Sequence, residues 1–443
     1  MALPLRSSRI VQSAARSMRT PWSASRALHG QPDELYSYTS GRWLWDEEQH
    51  LLARQRWFDI KALAAVAIDV KQASRCLSIT KVADGEHSRV LRLIMDNRQS
   101  VVVRIPYLSQ QDAASSISSE AAIMTFVADA LKLPVPRPLL CEPSADNPVG
   151  CEYLMMEEAS GTPLHDVWHL KNIIDRAAIA ESLIEIQANL ISTAFDSHGS
   201  LYVSSNDTHG TAPSPSPPEE RSKDGYHVGP LADLDGFQAW TPERGPGPSA
   251  KDWLQAIAQN HINHLESTLL NRRALLKSTT SIENRIELYQ KVFCVVQAIT
   301  SSAEGDVSMI PRLWHSDKFD AKNIFVTGNK VTGVTGWRGS SVAPLPFLAR
   351  QPDWIRYQGP YIYKLPPEFE AMTDREERDW WGYTVGCTLM RMRYKDDVES
   401  RCKILDRILH SPMSPLLGQL ADLAIQNYGD TMGLRETIIQ VTR

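Results

Sequence analysis

The chain has 443 residues, 42% of them hydrophobic, and a formal net charge of −5. That length suits two or three lobes, each with its own core. The acidic balance argues against a dedicated nucleic-acid binder, and no apolar run approaches the roughly 20 residues that span a bilayer. The six cysteines (Cys76, Cys141, Cys151, Cys294, Cys387, Cys402) are scattered, with no CxxC pair. Free thiols in a reducing compartment are expected, and a zinc site has nothing to build on.

From Met1 to Gly30 five arginines (Arg6, Arg9, Arg16, Arg19, Arg26) accompany many serines, and no acid occurs before Asp33. Wound as a helix, the arginines interrupt an apolar surface of Leu5, Ile10, Val11 and Met18. This cationic amphipathic pattern predicts a mitochondrial presequence over residues 1–35. Residues 36–69 read as an extension that packs on the first lobe, with a short apolar helix from Ile60 to Ala67. Alternation then predicts strands at Cys76–Val82, Ser88–Met95 and Ser100–Ile105, separated by turn residues at Asp84-Gly85 and Asp96-Asn97. Ser118–Leu131 has helical spacing, with Ser118 or Ser119 as its cap, and Glu152–Glu157 reads as a further strand. Residues 70–158 therefore predict a small, five-stranded antiparallel α+β lobe.

Residues 159–443 read as a larger, mainly helical lobe. Ile179, Leu183, Ile186 and Leu190 recur at helical spacing, as do Trp253, Ile257 and Leu265. Between them Ser204–Ala250 contains Pro-Ser-Pro-Ser-Pro-Pro and Arg-Gly-Pro-Gly-Pro, a long loop without regular structure. Short strands at Asn323–Thr327 and Val331–Thr335 flank a tight Gly328-Asn329 turn, and helix resumes from Arg375.

The segment 313–337, LWHSDKFDAKNIFVTGNKVTGVTGW, carries the chemistry. It resembles the catalytic core of aminoglycoside phosphotransferases and choline kinases, in which His-x-Asp is followed by Asn, a hairpin and Asp-Trp. That resemblance implies a two-lobed, protein-kinase-like fold. Phosphoryl transfer needs a carboxylate to orient the acceptor hydroxyl, and an Asn with a second Asp to hold Mg²⁺ against the phosphates. Carried over, His315 is the structural histidine of the catalytic pair, Asp317 the catalytic aspartate and Asn323 the metal-binding asparagine. Two departures stand out. Asp317 to Asn323 is six residues where the family has five, so that counting back five lands on Lys318. Gly336-Trp337 also stands where the family has the metal-binding Asp before Trp, so position 336 is no ligand.

The same resemblance extends into the small lobe. Asp84-Gly85-Glu86-His87-Ser88-Arg89-Val90 takes the place of the phosphate loop, with Gly85 and Ser88 as nucleotide-binding candidates. Arg104 takes the place of the phosphate-pairing cation, with Glu120 as its partner. Glu157 and Glu158 mark the hinge whose backbone would face adenine. Leu133-Pro134-Val135-Pro136, Asn147-Pro148-Val149-Gly150, Gly161-Thr162-Pro163-Leu164, Tyr226-His227-Val228-Gly229-Pro230 and Arg244-Gly245-Pro246 resemble the punctuation of a fungal mitochondrial subgroup, the altered inheritance of mitochondria protein 9 group. Three functions follow as expectations: a kinase-fold protein with impaired or lost phosphotransfer (a pseudokinase), an active small-molecule phosphotransferase with Asp317 as base, and a cleft reused for other small-molecule chemistry. ATP and Mg²⁺ are the implied cofactors, both weak or absent if the site is inactive. The expected partner is a small molecule in the inter-lobe cleft, with no nucleic acid and no transmembrane segment.

Overall fold

The computed structural model describes residues 32–107, 113–204, 225–232, 247, 249–274, 280–302, 305–316, 319–425 and 431–442. Most of the expected presequence, Asp317, Lys318 and the Arg244-Gly245-Pro246 segment lie outside the described residues. Residues 32–57 run over the small lobe and contain a 3-10 turn (Pro32–Leu35) and one α-helix, α1 (Glu47–Arg54). The next helix, α2 (Ile60–Val70), starts for a local reason. Asp59 Oδ1 accepts the N–H groups of Lys61 (2.8 Å) and Ala62 (3.0 Å), which satisfies two donors that have no partner inside the helix.

Five antiparallel strands follow: β1 (Cys76–Asp84), β2 (Ser88–Met95), β3 (Ser100–Pro106), β4 (Pro138–Glu142) and β5 (Tyr153–Met156), in the spatial order β1-β2-β3-β5-β4. Side chains alternate across such a sheet, and the register divides its two faces cleanly. Ile79, Leu91, Leu93, Met95, Val101, Val103, Ile105 and Met155 are buried on the outer face against Leu63, Ala64 and Ala67 of α2, with Leu35, Tyr36 and Phe58. On the inner face, Val90 lies opposite Arg104 and Arg92 opposite Val102, while Val102 lies opposite Met156. The inner face receives α3 (Ala113–Asp129), which joins the main core of the larger lobe. Ser118 and Ser119 are therefore not caps. They sit inside a helix that begins at Ala113, and Ser119 is buried at 3% exposure.

Past the hinge come β6 (Thr162–Pro163), α4 (Leu164–Val167) and α5 (Ile173–Leu190), the last capped by Asn172. The stretch read as an unstructured loop contains a strand. Here β8 (Tyr226–Gly229) pairs antiparallel with β7 (Ser200–Val203) along four residue pairs. The proline-rich composition hid it because its partner lies outside the loop. Helices α6 (Ala250–Ala274) and α7 (Thr280–Ser302) pack together in a second core. Then β9 (Pro311–Trp314) leads into the motif, β10 (Ile324–Thr327) and β11 (Lys330–Val334) form its hairpin, and β12 (Ser341–Pro344) returns to pair with β9. Gly328 makes the hairpin turn at φ +63°, where glycine carries no Cβ penalty. Five further helices complete the chain: α8 (Leu345–Leu348), α9 (Arg375–Arg401), α10 (Lys403–Leu409), α11 (Ser414–Ile425) and α12 (Thr431–Val441). Among the described residues no helix is long and apolar enough to cross a membrane.

The outer cover makes a test. Leu63 is fully buried between α2 and the sheet, so Leu63→Ala removes packed methyl groups and leaves a cavity. Urea denaturation should show a loss of about 2–5 kcal/mol. A loss under about 0.5 kcal/mol would show that α2 is not a structural layer of the lobe.

Candidate functional site

The motif is held together by His315, which is fully buried. Its Nε2 lies 2.7 Å from the Thr335 carbonyl, and the Phe319 N–H donates to Nδ1 at 3.3 Å. Those contacts select one neutral tautomer, with the proton on Nε2. Phe319 stacks on the imidazole at 4.8 Å, and Trp337 meets it edge-on at 4.8 Å. Phe319 has φ +60°, an uncommon conformation for a bulky residue. It is pinned there from both sides, by His315 at its N–H and by the Trp354 indole at its carbonyl (2.9 Å). A positive-φ residue thus stands inside the segment that is one residue longer than expected.

Asn323 closes onto the end of the hairpin. The Thr335 N–H donates to the Asn323 carbonyl at 2.8 Å, and Thr335 Oγ1 lies 3.4 Å from Asn323 Oδ1. The next residue, Gly336, has φ +78° and offers no side chain. Ser316 ties the far side, since its Oγ lies 3.2 Å from the Gly336 carbonyl and 2.5 Å from the Arg338 carbonyl. Asn323 and Gly336 are therefore brought together as the sequence expects, but only one of them carries a donor atom on its side chain. Among the described residues no group of three or more His, Cys, Asp or Glu could hold a metal ion. Of these two positions, Asn323 offers a side-chain oxygen of the kind that Mg²⁺ takes.

The small lobe contributes a buried ion pair. The Arg104 guanidinium bonds the Glu120 carboxylate, at 7% and 4% exposure. The strand and the helix thus bring together the two residues that the sequence pairs. On the same face of α3, one turn earlier, Ser116 Oγ meets Arg338 Nε at 3.3 Å. Sequence reasoning missed Arg338, although a cation two residues after a missing carboxylate is a readable signal.

The phosphate-loop candidates behave differently. Gly85 donates its N–H to the Ser88 carbonyl at 2.9 Å, closing a tight turn. Ser88 is no loop hydroxyl, because it is buried inside β2 opposite Pro106. Asp84, at the end of β1, bonds Arg89 (2.9 Å), Lys81 (2.7 Å) and the Thr39 N–H (3.0 Å) of the N-terminal extension. Burial works to raise the Asp84 carboxyl, but Lys81, Thr39 and Arg89 together hold it below the usual carboxylate range. This hairpin is therefore fastened at its turn end by a charged knot.

At the hinge the two glutamates have structural partners. The Glu157 N–H is taken by the Arg137 carbonyl at 2.9 Å, so it does not face a ligand. The Glu158 carboxylate meets Arg92 (2.9 Å) and Ser100 (2.5 Å), which fastens the hinge to the inner face of the sheet. A cavity of about 310 Å³ opens beside this hinge, lined by Leu133, Pro134, Arg137, Glu157, Ser160 and Gly333, among others. Arg104, Glu120 and Asn323 do not line it, and of the motif it is the hairpin, through Thr332 and Gly333, that borders it. Cys141 and Cys151 are inert by environment, because burial pushes both thiols up to about 12.

Comparison with known proteins follows the same outline. The profile described as "Phosphotransferase enzyme family" matches residues 78–345. "Altered inheritance of mitochondria protein 9, mitochondrial" of Yarrowia lipolytica is 26% identical over 379 residues, covering 78% of this chain and 65% of that protein. The protein of the same name in Clavispora lusitaniae is 23% identical over 416 residues, covering 79% of this chain and 67% of that protein. The chain thus spans about two thirds of the length of these relatives. Among solved structures, a thermostable mutant of aminoglycoside phosphotransferase APH(4)-Ia in its apo form is 15% identical, with a TM-score of 0.41, over 85% of this chain and 95% of that one. The streptomycin–ATP ternary complex of APH(2")-IIa is 13% identical with a TM-score of 0.42, over 86% and 95%.

The buried pair makes its own prediction. Glu120→Ala removes the carboxylate paired with a buried guanidinium, and urea denaturation should record a loss of about 3–5 kcal/mol. A loss below about 1 kcal/mol, the range of exposed pairs, would mean that water reaches Arg104 freely.

Proposed function

Because the chain belongs to the phosphotransferase enzyme family, we propose that its inter-lobe cleft binds a nucleotide while phosphoryl transfer is impaired. The observation that carries this reading is Gly336. Its backbone is held beside Asn323 and Thr335, yet it supplies no carboxylate where the family motif has one. Losing one metal ligand typically removes several kcal/mol of transition-state stabilisation.

Nucleotide binding is supported by what remains. Val90 and Val102 present half-buried apolar surface on the inner face of the sheet. Below the hinge, Gly333 packs between Phe325 and Ala159: a Cβ placed on it would lie 3.2 Å and 3.3 Å from their Cβ atoms. Half-buried Phe325 is thereby set against the hinge, where a flat heterocycle would stack. Arg104, oriented by Glu120, supplies the cation for phosphate. Asp317, outside the described residues, is the proposed base of the second reading, transfer to a small hydroxylated or amino acceptor. That reading is favoured by the His315–Thr335 frame, which holds both flanks of the motif in place. The third reading, other chemistry in the same cleft, has no specific observation behind it.

Calorimetry with ATP tests the first reading. Gly336 has a left-handed backbone that Asp tolerates better than most residues, so Gly336→Asp should restore a ligand without breaking the turn. Mg²⁺-dependent ATP binding should strengthen by about 1–3 kcal/mol, while the unaltered chain releases no phosphate above background. Turnover by the unaltered chain at about 1 s⁻¹ or faster, the range of working kinases, would overturn impairment and favour Asp317 as base.

The curated relatives carry "mitochondrial" in their names, and with the arginine-rich N-terminus this supports a mitochondrial location. Residues 1–35 should direct a fluorescent reporter to mitochondria, and replacing the five arginines by glutamate should abolish import. A reporter left in the cytosol by residues 1–35 would sink the assignment.

A further inference from the structure

We propose that the larger lobe binds a small aromatic carboxylate between the first turns of α5, the segment 354–361 and α9, with Arg176 and Arg391 as its cations. This deepens the second reading above, transfer to a small acceptor, by giving that acceptor's class. It rests on that reading only for the acceptor's role, since binding itself needs no transfer.

The site begins at the motif. The Trp354 indole donates to the Phe319 carbonyl at 2.9 Å, and the Trp168 ring meets Trp354 edge-on at 4.7 Å. Trp168 carries the Arg176 guanidinium over its ring at 5.0 Å and accepts the Arg176 Nε–H on its carbonyl at 3.3 Å. Arg176 also lies close enough to Tyr383 and Cys387 of α9 to favour the ionised form of both. Tyr383, Cys387 and Arg391 follow one another at four-residue steps, which places them on one face of α9. The Tyr357 ring packs against Tyr383 at 6.3 Å, and Tyr361 packs against Tyr357 at 6.4 Å. Arg391 closes the line, lying over the Tyr361 ring at 5.0 Å with Nη1 donating to the Tyr357 carbonyl at 2.6 Å.

These two arginines are held by ring faces and backbone carbonyls, and among the described residues neither forms an ion pair with a carboxylate. The acids closest in sequence are engaged elsewhere. Asp175 bonds Asn172 and Asn329, and Asp353 pairs with Arg356. Arg176 and Arg391 are both half-buried, yet neither has a nitrogen that is buried without a partner. Their remaining N–H donors therefore open on solvent. A guanidinium lying flat on a ring keeps its in-plane donors, the edge that takes a carboxylate in a fork.

The rings decide the body of the ligand. Tyr383 and Tyr361 are 63% and 48% exposed, so the aromatic wall is open along its length. A planar ring suits it better than a branched aliphatic tail, because aromatic pairs gain edge and offset contacts beyond the area they bury. A cationic amine would meet two groups of its own sign. Two of the ring faces that would attract it are already taken by guanidinium. The site thus favours a hydroxylated acceptor that carries a carboxylate over one that carries an amine.

Ligand-observed NMR on the full chain, without nucleotide, tests this with phenylacetate, phenethylamine and acetate as probes. Phenylacetate should bind at about 1–10 mM, as a fragment of about ten heavy atoms does, and about 10-fold more tightly than either other probe. Arg176→Gln and Arg391→Gln should each weaken it by roughly 10-fold, the worth of a charged hydrogen bond. Tyr383→Ala, which removes a mostly exposed side chain, should weaken it by about 2- to 10-fold, the worth of one ring pair. Phenethylamine or acetate binding as tightly as phenylacetate would overturn the proposal, and so would phenylacetate binding unchanged in all three variants. ATP titrations of the same proteins keep the readings apart, because each arginine variant should bind ATP as the unaltered chain does. ATP that binds none of them sinks the nucleotide reading and leaves this site standing, whereas ATP binding without phenylacetate binding does the reverse.

Discussion

Two opposite charges taken almost wholly out of water, Arg104 on β3 and Glu120 on α3, set the terms for the rest of the molecule. Each alone would carry a desolvation penalty of several kcal/mol, so the strand and the helix cannot part without exposing both. That fixes which face of the sheet looks inward, because Arg104 shares its face with Val90, Arg92 and Val102. It also fixes α3 over the hairpin motif, where Ser116 reaches Arg338 across 222 residues of sequence. Along the opposite face Leu91, Leu93, Val101 and Val103 are apolar, and α2 helps to cover them.

Local pattern made much of this legible. The alternation in Ser88–Met95 and Ser100–Ile105 yields the strands and their two faces, and the motif from His315 to Trp337 yields the core of the larger lobe. What the sequence hid was mostly non-local. The strand Tyr226–Gly229 exists because Ser200–Val203 pairs with it, and a proline-rich neighbourhood outweighed that signal. Glu157 looked ready to offer its N–H to a ligand, but the Arg137 carbonyl, twenty residues earlier, takes it. Ser88 looked like a loop hydroxyl and is a buried strand residue. Ser118 and Ser119 have the composition of a cap, but composition alone does not say on which turn a helix begins.

Within the motif, the groups that hold backbone and the groups that hold charge have parted company. His315 still bridges Thr335 and Phe319 with one neutral tautomer, and Trp337 still packs edge-on against it. Asn323 still meets Thr335. These contacts stabilise the fold whatever the cleft contains, since a broken one would leave buried polar groups unpaired. The carboxylate before Trp337 is different, because its absence leaves a glycine in a turn that glycine suits well. Stability therefore holds the frame of this motif, and within that frame Gly336 carries no side chain.

The cover on the outer sheet face also limits how far the N-terminus can be trimmed. Leu35 and Tyr36 are buried, at 6% and 5% exposure. The Tyr36 ring packs against Trp57 and Phe58 at centroid distances of 4.7 and 5.0 Å, and its carbonyl accepts the Arg56 N–H. Three residues later, Thr39 helps to hold Asp84 beside the turn of the β1–β2 hairpin. Trimming beyond Glu34 would therefore take away buried side chains of this cover, Leu35 and Tyr36 among them. A cut further on would take away part of the wall that keeps Leu91, Leu93 and Val103 dry, and would loosen the hairpin that faces the cleft. The folded small lobe thus reaches forward to Leu35.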